Sequence, residues 1–328
     1  MKFLITGVAG FIGADLAVKL LKSGHEVVGI DNLNDYYDVS LKQDRLQVIN
    51  DAVLVEKNIA QAFEFFEVDI VDRNKVQLLF EDNQFHCVVN LAAQAGVRYS
   101  IENPNAYFDA NLLGFGNILE CCRNSKVDHL VYASSSSVYG ANENFPFSEQ
   151  DRVDNPVSLY AATKKANELM AHSYAHLYGF RCTGLRFFTV YGPWGRPDMA
   201  PFRFASRMLN GEPIPVYNNG DMIRDFTYID DITEGVQKVA ESQNFDNHYN
   251  VYNIGRGEPV QLFDFIKALE KYLDVDVQMN MLPMQDGDVP RTMADSTALQ
   301  RDFGYKPKIS LDEGVKRFSR WYQSYYSS

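Results

Sequence analysis

The chain has 328 residues, a formal net charge of -12, and 46% hydrophobic and 23% charged residues. That length suits two domains sharing an interface, and the composition is ordinary for a soluble globular protein. The acidic balance argues against nucleic-acid binding, which needs a basic stripe. It also requires any anionic ligand to be met by local arginines working against the overall field.

The N-terminus enters a strand at Lys2-Phe3-Leu4-Ile5 with no signal peptide, and no apolar run is long enough to span a membrane. Cys87, Cys121, Cys122 and Cys182 lack metal-ligand spacing and are read as packed, reduced thiols. A cytoplasmic protein without a bound metal is expected.

The first strand, Lys2 to Thr6, runs into Gly7-Val8-Ala9-Gly10-Phe11-Ile12-Gly13, followed by a helix pattern that ends at Ser23-Gly24. Glu26 to Ile30 is a second strand, closed by Asp31. This strand, glycine turn, helix, strand and acid make a dinucleotide-binding unit. Its glycines permit a tight turn and close backbone approach to a pyrophosphate. Free N–H groups at the helix start favour the phosphates, with Gly7, Gly10, Phe11, Ile12 and Gly13 around them. Asp31, with Asn32 beside it, is placed to accept from the adenosine ribose hydroxyls. A carboxylate there repels a 2′-phosphate, so NAD is favoured over NADP.

Residues 32–58 read as a polar surface excursion with a helical piece around Leu41 to Ile49. Further strands are expected at Phe63 to Val68, ending in Asp69-Ile70, and at Cys87 to Leu91, ending in Ala92-Ala93. Ligands lie beyond strand C-terminal ends in such sheets, so Asp69 is a candidate adenine contact, and a helix N-cap is the competing role. A long helix is expected from Asn105 to Asn124 and a fifth strand from His129 to Ala133. That strand delivers Ser134-Ser135-Ser136-Ser137. Ser158 precedes a helix running to about Tyr178 that carries Tyr160 and Lys164, four residues apart and so on one face. A phenol is a poor base at neutral pH. An ammonium one turn away is expected to lower the Tyr160 pKa and make it a usable proton acceptor.

Arg181 to Phe188 is a sixth strand, and Thr189 to Pro197 a loop. A seventh strand is expected at Val251 to Ile254. Between and after come a helix at Pro201 to Asn210, a loop at Gly220 to Asp225, a helix near Leu262 to Leu273 and an aromatic C-terminal helix around Trp321. The fold class is therefore α/β: a doubly wound parallel (Rossmann) sheet of about seven strands with a smaller mixed α/β substrate domain. The expected NAD-binding domain is 1–188 plus about 227–258, and the nucleotide-sugar domain about 189–226 plus 259–328.

The glycine motif, Asp31, Asp69-Ile70, Leu91-Ala92-Ala93, the serine cluster before Val138-Tyr139-Gly140, and Tyr160-x-x-x-Lys164 together resemble the extended short-chain dehydrogenase/reductases that act on nucleotide sugars. The likeness covers nearly the whole chain. Within that family, several stretches are most similar to the epimerases acting on UDP-glucuronate. These stretches are residues 31–37, 92–100, 186–200 and 287–292. The resemblance implies C4 epimerisation through a transient 4-keto sugar, with NAD as a bound catalyst. Tyr160, Lys164 and Ser135 would be catalytic, Lys164 also holding the nicotinamide ribose. Ser136, Ser137, Thr189 and Arg196 would hold the sugar carboxylate with charge-assisted hydrogen bonds. For Arg196 the competing reading is an ion pair at the surface or a domain interface. Arg224 would meet the UDP phosphates and Asp288 the uridine ribose. Gln285 stands where related galactose epimerases carry an arginine, and Arg98 is a site residue without an assigned partner. The long helices at 105–124 and 159–178 resemble those through which family members dimerise.

Three other readings remain. UDP-glucuronate decarboxylation normally places an acid just after the catalytic serine or threonine, where Ser136 and Ser137 stand. UDP-glucose 4-epimerisation more often has asparagine at the Thr189 position. A non-catalytic NAD-sensing protein on the same fold would generally lack Tyr160 or Lys164.

Overall fold

Successive residues of a strand point to opposite faces of a sheet, and the first strand supplies two cores in this way. Phe3 and Ile5 join one buried cluster, whereas Leu4 joins another on the opposite face. Strands buried on both faces read as continuous apolar runs. The structure, a computed structural model, describes residues 1–55, 62–243 and 247–326. The expected excursion at 32–58 therefore ends with residues 56–58 outside the described ones.

In chain order the strands are β1 (Lys2–Thr6), β2 (Glu26–Asp31), β3 (Phe63–Glu67), β4 (Cys87–Asn90), β5 (His129–Ser135), β6 (Arg181–Phe187), β7 (Thr189–Tyr191), β8 (Ile214–Val216), β9 (Ile223–Tyr228), β10 (Tyr249–Ile254), β11 (Pro259–Gln261) and β12 (Met279–Met281). Seven of them form one parallel sheet in the order β10-β6-β5-β4-β1-β2-β3. The chain winds one way from β1 and the other way from β4, so the crevice between those two strand ends is the topological switch point. The doubly wound sheet of seven strands expected from the sequence is present.

The helices used below are α1 (Phe11–Lys22), α2 (Val39–Val55), α3 (Arg73–Glu81), α4 (Tyr99–Glu102), α5 (Pro104–Tyr107), α6 (Phe115–Asn124), α7 (Leu159–Tyr178), α8 (Ala200–Leu209), α9 (Ile229–Glu241), α10 (Leu262–Leu273), α11 (Thr297–Phe303) and α12 (Leu311–Tyr326). Leu16, Leu20, Ile232 and Val236 bring α1 and α9 onto the Phe3/Ile5 face. Val76, Ile118 and Ala171 bring α3, α6 and α7 onto the Leu4 face. Cys87, Cys121, Cys122 and Cys182 are buried free thiols. Among the described residues no helix is long and apolar enough to cross a membrane, and no cluster of side chains could hold a metal ion.

Three expectations change. The long helix over 105–124 is interrupted: α5 passes into a π-helical turn, Phe108–Gly114, before α6. That wider turn sets buried Asn111 facing α7, where its side-chain amide donates to Thr163 Oγ1 at 3.0 Å and its backbone carbonyl accepts from the Asn167 amide at 2.6 Å. The stretches read as loops at 189–197 and 220–225 contain β7 and the start of β9. With β11 they make a three-stranded sheet in the order β11-β9-β7. Such short pieces carry too little alternation to stand out in sequence. The fifth strand runs on to Ser135, so Ser134 and Ser135 belong to the sheet itself.

Candidate active site

Beyond the ends of β1, β4, β5 and β6 lies a cavity of about 840 Å³, and every site residue named from the sequence lines it. Gly7 has φ +72°, and an added Cβ would lie 2.8 Å from the Ala92 nitrogen, so the turns after β1 and β4 touch at the switch point. A Cβ on Gly13 would fall 2.2 Å from the Gly7 carbonyl oxygen. No side chain caps the start of α1, which leaves its first N–H groups facing the cavity beside Gly10, Phe11 and Ile12. Leu91, Ala92 and Ala93 form the facing wall.

At the far end of this cradle the Asp31 carboxylate accepts from Leu33 N–H at 2.9 Å and from Ala9 N–H at 3.2 Å. Burial raises its pKa, opposed by those two N–H groups and by the charges of Lys42 and Arg45. Asp69 accepts from Asn32 at 2.9 Å and from Val71 N–H at 2.9 Å. It does not cap the following helix, since Asp72 accepts from Lys75 N–H in that role. An uncapped helix start, a crowded glycine turn and a cavity-lining carboxylate fit a dinucleotide bound along the strand ends.

Ser158 caps α7 by accepting from Ala161 N–H at 3.1 Å, which fixes where the first turn begins and hence where Tyr160 points. Lys164 is buried on the same helix face, and its Nζ donates to the Ala133 carbonyl on β5 at 2.9 Å. Burial depresses its pKa from 10.5 to about 8. Its Nζ stands 6.0 Å from the centre of the Tyr160 ring. The sequence-based expectation that Lys164 lowers the Tyr160 pKa is corrected here. Burial dominates and raises it, a hydrogen bond with Ser135 and the charge of Arg196 pull it back, and Asp198 pushes it up again. Spacing placed the ammonium near the phenol, but the lysine is spent on a strand carbonyl and is itself desolvated.

Ser135 ends β5, and its hydroxyl also accepts from Ser137 N–H at 3.1 Å. This bond starts the tight turn Ser136–Tyr139, which presents Ser136 and Ser137 to the cavity. Thr189 begins β7 opposite them. Arg196 lines the cavity as a partly buried cation and makes an ion pair. It forks onto Asp198, with Nε to Oδ1 at 3.0 Å and Nη2 to Oδ2 at 2.5 Å, and its pKa rises because that pairing outweighs the cost of burial. Further out, Arg98 pairs with Asp288 at 3.1 Å and lies 4.7 Å over the Tyr217 ring. Arg224 donates to the carbonyls of Ile223 and Pro290, both at 3.0 Å. Gln285 does not line the cavity, and its buried Oε1 has no hydrogen-bond partner among the described residues.

Several residues of this site received no role from the sequence. Asp198 and Tyr36 hold Arg196: the Tyr36 hydroxyl donates to Asp198 at 3.4 Å, and burial with the nearby carboxylate pushes the phenol up to about 12. Tyr107 packs edge-on against Tyr160 with ring centres 6.1 Å apart. Asn111 ties α7 to the Gln94 segment through its 3.0 Å bond to the Gln94 carbonyl. Tyr217 gives the Arg98–Asp288 pair its aromatic floor. The repeated tyrosines in 36–37 were visible, but nothing in their spacing says which charge they face.

A family model described as the NAD dependent epimerase/dehydratase family matches residues 3–255. The chain belongs to this family. It is 47% identical to a probable UDP-glucuronate 4-epimerase of Rhizobium meliloti (strain 1021), over 99% of this chain and 98% of that protein. It is 46% identical to UDP-glucuronate 4-epimerase 2 of Arabidopsis thaliana, over 98% of this chain and 76% of that protein. Among solved structures, UDP-glucuronic acid 4-epimerase from Bacillus cereus in complex with UDP-glucuronic acid and NAD superposes with a TM-score of 0.91 at 34% identity. That match covers 99% of this chain and 100% of the other. In this NAD-dependent epimerase/dehydratase the glycine turn, the capless start of α1 and Asp31 are the parts suited to hold NAD.

Proposed function

We propose that the protein interconverts UDP-glucuronate and UDP-galacturonate by NAD-dependent epimerisation at C4. The observation that carries this reading is the grouping of Tyr160, Ser135 and Arg196 on one cavity wall, with serines, not an acid, at 136 and 137. When bound, NAD would supply the hydride acceptor and then the hydride donor for C4. Tyr160 takes the proton of the sugar 4-hydroxyl while Ser135 holds the same oxygen, and C4 becomes a ketone. Lys164 and Asn111 hold Tyr160 in register with that oxygen, one through Ala133 and the other through Thr163. The flat ketone would turn over about its nucleotide anchor, and Tyr160 would return the proton to the oxygen when the ketone is reduced from its other face. Arg98, Asp288 and Arg224 are the anchor for the UDP part.

A 4-ketone beside a C5 carboxylate is a β-keto acid, which loses carbon dioxide when its carboxylate can rotate and spread its charge into the ring. Ser136, Ser137, Thr189 and Arg196 restrain it with charge-assisted hydrogen bonds that keep the charge on the carboxylate. The absence of an acidic side chain at 136 or 137 favours this reading over decarboxylation.

The proposal extends to the assembly. Phe108 and Leu113 on the π-helical turn and Leu169 and Leu177 on α7 are exposed, 59% for Leu169 and 67% for Leu177. An apolar stripe on adjacent helices fits a homodimer. The two expected domains, divided near residues 188, 227 and 258, would then be the cofactor and nucleotide-sugar halves. Buried free thiols fit a reducing, cytoplasmic setting.

NMR of UDP-glucuronate incubated with NAD-loaded protein tests the activity. UDP-galacturonate is the expected product. A UDP-pentose as the main product, or unchanged substrate with turnover of UDP-glucose instead, would overturn it.

A further inference from the structure

Arg45 lies on α2, in the stretch the sequence suggested was a surface excursion, yet its side chain is only 1% exposed. No carboxylate is within ion-pair distance of it among the described residues. Its guanidinium instead donates to the Trp194 carbonyl at 3.0 and 2.7 Å, to the Gly195 carbonyl at 3.0 Å, to the Ala9 carbonyl at 3.1 Å and to the Tyr37 hydroxyl at 2.7 Å. Burying a guanidinium without a direct ion-pair partner is costly. This one is retained with its forked donor set spent on two turns far apart in sequence. One is the glycine turn of the cofactor cradle, where Ala9 is also tied to Asp31 through its N–H. The other is the turn that ends in Arg196.

The second turn needs a clamp. Trp194 has φ +62°, a left-handed conformation that a bulky residue adopts only when its surroundings impose it. Two guanidinium N–H groups hold its carbonyl, while its ring packs against Trp321 at 5.2 Å and Tyr325 at 5.0 Å on α12. The Gly195 carbonyl belongs to the peptide plane that leads directly into Arg196. Fixing both carbonyls fixes the direction in which the Arg196 side chain leaves the backbone, and so the fork it makes with Asp198.

We propose that Arg45 is a positioning residue for substrate selection: by bridging the Ala9 turn to the Trp194–Gly195 turn, it holds Arg196 where a sugar carboxylate must meet it. The inference rests on the reading that Arg196 receives that carboxylate. Arg45 does not line the cavity, whereas Arg98, Asp288 and Arg224 line it from other elements, so removing Arg45 should act on the uronate end of the ligand and spare the uridine end.

The test is calorimetric binding of UDP and of UDP-glucuronate to NAD-loaded Arg45→Met, Arg45→Lys and Arg196→Ala. In Arg45→Met we expect the Kd for UDP-glucuronate to rise at least tenfold while that for UDP stays within twofold of wild type. Arg45→Lys keeps the charge but not the fork and should show the same selective loss. It decides the matter should the methionine variant not fold. Equal weakening of both ligands in the Arg45 variants would mean a merely structural brace and would overturn the proposal. A selective loss in Arg196→Ala with none in either Arg45 variant would overturn the positioning role while leaving the carboxylate reading intact. No selective loss in Arg196→Ala would overturn both.

Discussion

Replacing Lys164 with methionine should stabilise the fold while removing turnover. The lysine is buried, and its pKa falls from 10.5 to about 8 because the ammonium is desolvated. At roughly 1.4 kcal/mol per pKa unit, that fall corresponds to about 3 kcal/mol of cost to the folded state at neutral pH. Methionine fills a similar volume without a charge but abandons the 2.9 Å bond to the Ala133 carbonyl. A lost hydrogen bond to that carbonyl offsets about 1 kcal/mol. The net gain at pH 7 is therefore about 2 kcal/mol, read from urea midpoints with nucleotide stripped from both proteins. The pH dependence carries the sign. Below about pH 8 both states hold the proton, and wild type bears the full cost. Between about pH 8 and 10.5 the folded chain sheds the proton and the unfolded chain keeps it, so wild-type stability rises with pH. The methionine advantage should shrink by about 1 kcal/mol between pH 7 and pH 9. A variant less stable than wild type at pH 7, or an advantage that stays constant to pH 9, would refute the assignment of the lowered pKa to burial.

Tyr160→Phe should retain NAD and lose about 10²- to 10⁴-fold in turnover, the usual worth of a general base; near-normal rates in the UDP-glucuronate assay would remove Tyr160 from the chemistry. Glu168→Gln strips the charge partner from buried Arg186, which it holds through two bonds of 2.8 and 2.9 Å, and should cost about 3 kcal/mol in urea unfolding. Gly13→Ala would put a methyl against the Gly7 carbonyl, and NAD titration should show at least about tenfold weaker binding with the sheet intact by circular dichroism. Leu177→Glu places a charge in the exposed apolar stripe of α7, and sedimentation should then show a monomer if that stripe is the dimer seam.

The sheet was legible because its strands are apolar runs and its punctuation is glycine. Gly7, Gly13 and Asp31 mean the same in sequence as in space, since all three act within one local unit. The Tyr160–Lys164 face was equally local. What sequence did not reveal are pairings between distant elements. Asp198 lies two residues from Arg196, and only the fold shows that it faces back onto that guanidinium instead of solvent. Arg98 could not be matched with Asp288, because 190 residues separate them. Arg45 falls in the stretch read as a polar surface excursion, and its burial depends on a turn formed by residues 192–195. Spacing also could not weigh opposing effects on Tyr160, where burial outweighs the nearby charges.

That balance links substrate recognition to the base. Arg196 lowers the Tyr160 pKa and Asp198 raises it, so an ion pair whose two members act in opposite directions stands beside the phenol. On the proposed reading, a uronate carboxylate drawn to Arg196 would add a second negative charge to that pair and push the Tyr160 pKa up, which would favour retention of the proton that the phenol takes from the 4-hydroxyl. A neutral hexose would leave the pair as it is. The same guanidinium can thus anchor the carboxylate and bias proton transfer toward the oxidised sugar only when the carboxylate is present. On this view the catalytic pair on α7 is general to the family chemistry. The turn that Arg45 clamps would, on the proposed positioning role, make it respond to one class of sugar.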